Sequence, residues 1–206
     1  MDPAARARSL FLTNETTYGC AETALVALQE HYGLPNASDS SPAMALNGGI
    51  AYSGGMCGAI TGAALAVGRL AERRIEDHKE AKRTTRRIIQ DLMAAFASEH
   101  GATDCRSLTG FDLAQDHDAF LADGTWRVSC TEQIEFSIRY LERLATPAGW
   151  DAEMRRIQAG PRDADDGRED DGGMIDLHAA GPGHLPSGSR ASEADLEAVD
   201  GDPEAS

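Results

Sequence analysis

Apolar residues recur at helical intervals through the first two thirds of the chain and then lose their pattern. Ala21, Leu25, Leu28 and Tyr32 fall at steps of 4, 3 and 4, one face of a helix over residues 18–32 that Gly33 and Pro35 end. Ser41-Pro42, a cap followed by proline at the first helical position, predicts a short piece reaching Leu46. A glycine-rich loop over 47–55 then delivers the chain into Met56 and Cys57. The helix predicted over 57–77 opens with Gly58, Ala59, Gly62, Ala63 and Ala66, small residues spaced so that a second backbone approaches closely. Over 79–100, Ile88, Ile89, Leu92, Met93 and Phe96 share one side, and Gly101 stops the helix. A helical turn near Cys105 and a helix over 130–145, with Ile134, Ile138 and Leu141 as its stripe and Pro147 closing it, complete the pattern.

The pattern predicts an all-α fold, a single compact bundle of about five helices over residues 16–147. Residues 1–15 carry no stripe and read as a flexible N-terminal segment. From 148 to 206 Asp, Glu, Gly, Pro and Ser dominate, which predicts a disordered acidic C-terminal tail. Composition agrees with helices: 41% of residues are hydrophobic but only 5% aromatic, so the core is built from Ala, Leu, Ile and Val.

Charge narrows the partners. The chain has 34 acidic and 19 basic residues, a net of −15, of which 15 acidic and 5 basic residues lie in the predicted tail. Such a balance argues against nucleic acid as a partner. No apolar run matches a secretory signal or a membrane span, so a soluble cytoplasmic protein is expected. In that reducing compartment four cysteines are there for redox or metal chemistry more often than for stapling.

Those cysteines, Cys20, Cys57, Cys105 and Cys130, are 37, 48 and 25 residues apart. The absence of any C-x-x-C pair excludes a thioredoxin-like dithiol, a zinc ribbon and the usual ferredoxin runs, and the absence of C-x-x-C-H excludes covalent haem. Each cysteine falls at a predicted helix start, where free N–H groups and the helix dipole favour a thiolate and lower its pKa. Gly54, Gly55 and Gly58 offer close approach and further N–H donors, and Arg106 adds a positive charge beside Cys105, so all four are candidate binding groups for an anionic site. Three readings follow. The cysteines carry thiol–disulfide exchange or electron transfer with an unknown redox partner, making the chain a candidate oxidoreductase. Alternatively they ligate an iron–sulfur cluster or, less favoured, zinc. Finally, they are small buried hydrophobes in a non-redox interaction protein. His31 and His100 are weaker candidates for a metal site. No nucleotide-binding loop or hydrolase constellation is present. The small face of the third helix suits a homodimer contact.

The segment Cys57-Gly58-Ala59-Ile60-Thr61-Gly62 reads C-G-A-x-x-G, with Cys20 before it and Cys105 and Cys130 after it. With Gly48-Gly49, Ser53-Gly54-Gly55 and Asp104-Cys105-Arg106, this arrangement resembles the C_GCAxxG_C_C family over about residues 18–145. The resemblance implies a helical bundle with redox-active cysteines, often in transport-related or electron-transfer contexts. By it, Cys20 is the lone first cysteine, Cys57 the motif cysteine, and Cys105 and Cys130 the third and fourth. The acidic tail has no counterpart in that pattern. A related domain in split-Soret cytochromes carries a haem-attachment motif that this chain lacks.

Overall fold

Two helices that meet closely across two glycines set the geometry of the bundle. The computed structural model describes residues 1–13 and 17–160, and among these there is no strand, only an isolated antiparallel bridge between Met56 and Asp104. Helix α2 (Cys20–His31) lies directly on α3 (Gly58–Arg74). A Cβ on Gly62 would collide with the Ala21 carbonyl, and one on Gly58 with the Cys20 sulfur. The small face that suited a homodimer contact is therefore occupied inside the chain, with α2 as its partner.

Helix α4 (His78–His100) runs against α3. It is capped by Asp77, which accepts from the Glu80 N–H at 2.7 Å, and ended by Gly101 at φ +81°. Between α4 and the helix over Thr131–Leu141 lie a short helix over Cys105–Thr109 (α5) and another over His117–Asp123 (α6). A π-helical turn over Trp126–Cys130 then runs straight into the Thr131–Leu141 helix, α7. Leu25, Leu28, Ile60, Leu70, Ile88, Leu92, Phe96, Ile134, Ile138 and Leu141 are all buried, so the predicted stripes do face one core. Cys105, Leu113 and Phe120 form a second, smaller cluster with Phe111, Trp126 and Cys130 around them.

Two predicted boundaries move. Within the N-terminal segment expected to be flexible, Pro3–Leu12 form a helix, α1, with Ala4, Ala7 and Leu10 buried against α2 and α7. Asp2 caps it by accepting from the Ala5 N–H at 3.0 Å, and Arg6 forks onto Glu30 at 2.8 and 3.0 Å. Two of its three buried positions are alanine, which is why the stripe is easy to overlook. At the other end Pro147 opens a helix instead of closing the domain. Pro147–Ala159 (α8) is started by Thr146, whose hydroxyl accepts from the Gly149 N–H at 3.0 Å. Trp150 is buried with Arg74 over its ring, and buried Glu153 accepts from Arg143 at 2.9 Å and Arg156 at 2.6 Å. The rest of the predicted tail, 161–206, lies outside the described residues. No helix among the described residues is long and apolar enough to cross a membrane.

Candidate functional site

Backbone pairing brings distant cysteines together. The bridge at Met56 and Asp104 is extended by Cys57 N–H donating to Thr103 O at 2.8 Å, Cys105 N–H to Gly55 O at 2.7 Å and Arg106 N–H to Gly54 O at 3.1 Å. Segment 54–57 is thereby tied to the start of α5, placing Cys57 and Cys105 at the same end of the bundle. Gly54 and Gly55 act through their carbonyls and hold α5; these bonds lead to backbone, not to a bound ligand.

Cys20 is the first residue of α2, and its sulfur lies in the space left by the missing side chain of Gly58. Asn47 orders this corner: its Oδ1 accepts from the Ala21 N–H at 3.0 Å and from the Cys20 thiol at 3.9 Å, while its amide donates to Glu22 at 3.0 Å. The buried Glu22 carboxylate also accepts from the Gly19 N–H at 3.0 Å and the Ser40 hydroxyl at 3.0 Å. Neither Glu22 nor Asn47 was a sequence candidate. Glu22 sits three residues after Gly19, and a capping glutamate at that distance is a readable signal; Asn47 is distant in sequence and leaves none.

Cys20, Cys105 and Cys130 all line one cavity of about 450 Å³, whose walls include Phe11, Tyr18, Tyr52, Phe120 and Trp126. Cys57 is not among the lining residues; it is 4% exposed, with its thiol 3.7 Å from Gln133 Oε1, beside the glycine that seats Cys20. All four are free thiols. Arg106 does not face them: it pairs with Asp112 at 2.8 Å on the exposed side of α5. His31 bonds to the Glu142 carbonyl at 2.9 Å, and His100 packs on Phe96 and Phe136, so neither joins the sulfurs. His117 lines the cavity edge-on to Tyr52, with ring centroids 5.0 Å apart.

The expected low thiol pKa values are overturned. Burial pushes Cys20 up, with the backbone N–H groups of Gly48, Ala21, Cys20 itself and Gly58 pulling the other way. Burial and then the Cys20 sulfur raise Cys57 well above its ordinary value. Cys105 is pushed up to about 11 by burial first and then by the neighbouring Cys20 and Asp104. Cys130 rises to about 12, again through burial and then Cys20 and Cys105. Cys130 also lacks the helix start expected for it, since its φ of −66° and ψ of −34° continue the π-turn into α7. The other three do stand at helix starts, with Cys20 and Cys105 following Gly19 and Asp104 and Cys57 in the cap position. Among the described residues no group of three or more His, Cys, Asp or Glu is arranged to hold a metal ion.

The order and placement of these cysteines identify the chain's relatives. The family model described as "Putative redox-active protein (C_GCAxxG_C_C)" matches residues 18–144. The chain belongs to the C_GCAxxG_C_C family. In this chain's C-G-A-x-x-G segment, Gly58 makes room for the first cysteine's sulfur and Gly62 for the backbone that carries it. Comparison with curated proteins and with solved structures gave no match.

Proposed function

We propose that this member of the C_GCAxxG_C_C family is a dithiol oxidoreductase in which Cys20 is the central sulfur. Two thiols give a disulfide, releasing two electrons and two protons to an external acceptor, and the reverse step restores them. The observation that supports this most is that three of the four cysteines line one cavity, with Cys57 beside the glycine that seats Cys20. Cys20 is the natural attacking group, because backbone N–H groups of three separate segments, at 20–21, Gly48 and Gly58, work to lower its pKa against burial. The raised pKa values make the thiols slow to react at neutral pH: a thiol titrating at about 11 is ionised to roughly one part in ten thousand at pH 7. Such a site stays reduced until a suitable acceptor is held against it.

The test is oxidation of the full chain with diamide followed by disulfide mapping by mass spectrometry. An intramolecular bridge that includes Cys20, and that disappears in Cys20→Ser, is the expected result. Four thiols still free after oxidation would sink the reading.

A further inference from the structure

We propose that the cavity beside the thiols binds an uncharged, ring-bearing electron acceptor of the quinone class, which the cavity thiols reduce. This rests on the dithiol reading above and names its acceptor. The first observation is where the aromatic residues go. The chain has only 5 Phe, 4 Tyr and 2 Trp, yet Phe11, Tyr18, Tyr52, Phe120 and Trp126 all line this one cavity. The main core is filled largely by Leu, Ile and Ala. Phe11 meets Trp126 edge-on, with centroids 5.6 Å apart, as Tyr52 meets His117, so these wall rings do not stack on one another.

The second observation is charge. Among the described residues no Lys or Arg lines the cavity, and the one carboxylate, Glu22, already accepts from Gly19, Ser40 and Asn47. A nucleotide or an acidic thiol peptide would bring its anions to a carboxylate with no lining cation to offset it, at a desolvation cost that an uncharged ring avoids. A volume of about 450 Å³ lies in the range of small-molecule sites. His117, Tyr18 and Tyr52, whose side chains carry groups able to bond a carbonyl oxygen, are among the lining residues.

The third observation is placement. The cavity lies where the main bundle meets the segment carrying the smaller cluster, and three cysteines line it. In the step, two S–H bonds break and one S–S bond forms, between Cys20 and either Cys105 or Cys130. The two electrons and two protons pass to the quinone oxygens, giving the hydroquinone.

Tetramethylbenzoquinone is a suitable probe, because it has no ring hydrogen at which a thiol would add and be retained. Binding is read anaerobically by tryptophan quenching on the full chain with Cys20, Cys105 and Cys130 all changed to Ser, so that it is separated from redox chemistry. Saturable quenching is expected, weakened by about tenfold in Leu121→Phe, which places a larger, non-reporting ring at a half-exposed position of the lining. Tyr52→Ala, at an exposed wall position, is the second variant, and circular dichroism verifies both folds. In the unaltered protein one hydroquinone should appear for every two thiols lost. Quenching that does not saturate, that neither variant weakens, or that occurs with no hydroquinone formed by the unaltered protein overturns the proposal. If diamide still yields the Cys20 bridge in that case, the dithiol reading stands and only the acceptor is wrong.

Discussion

A cysteine at a helix start gains about 0.3–1 kcal/mol from the first-turn N–H groups, less than the 1.36 kcal/mol that moves a pKa by one unit. Burial first, and then the neighbouring Cys20 sulfur, act on Cys105 and Cys130 on a larger scale, taking them from 9.0 to about 11 and about 12. This decides the sign of the pH response. Protons are held more tightly in the folded chain than in the unfolded one, so the stabilisation is complete below about pH 9 and is lost as pH rises through 11 to 12. Denaturant midpoints should therefore fall on the alkaline side, and less so in Cys130→Ser. Access decides a second outcome. Alkylation at fixed pH should reach Cys20 and Cys130, both partly exposed, before Cys57, as peptide mapping after short labelling would show; Cys57 labelled first would contradict the burial described here.

Between elements, the decisive contact is α2 on α3. Gly62→Ala sets a methyl against the Ala21 backbone, which has no rotamer to yield, so a loss of about 3 kcal/mol in unfolding free energy is expected, with Gly68→Ala, whose methyl would make only an ordinary contact with the Thr85 side chain at 3.8 Å, as the control. Helix α8 depends on Glu153, whose carboxylate joins Arg143 and Arg156, while Arg156 also reaches Asp91 on α4 at 2.5 Å. Burial works to raise its pKa, but the two guanidinium groups win and lower it below 4.5. Its stabilisation is thus full above that value and lost as pH falls through the folded pKa, and Glu153→Ala should cost about 1–3 kcal/mol near neutrality, read from thermal or urea unfolding. How much of this was legible follows the same physics. The stripes of α2, α4 and α7 are dense in Leu and Ile and can be read directly. Helix α1 buries mostly alanine, α6 is 7 residues long, and the π-turn breaks the 3.6 period, so none of the three leaves a clear pattern. The cysteines and glycines announced the site, but Asn47 and the aromatic walls meet only through tertiary contacts.

For the molecule as a whole, the site joins a tight bundle to a smaller cluster over 105–130, and chain segments more than a hundred residues apart close around it. One stretch at its rim departs from the rest of the fold. Gly48, Gly49, Ile50, Ala51 and Tyr52 hold five consecutive positive φ values, from 49° to 74°, and Gly48 and Tyr52 belong to the cavity wall. For the three residues with a Cβ, this conformation opposes the chirality of the amino acid itself, at about 1–2 kcal/mol each. Mirror-image chemistry follows from it: a semisynthetic chain with D-alanine at position 51 should be more stable than the natural one, where the same exchange inside α3 would break the helix.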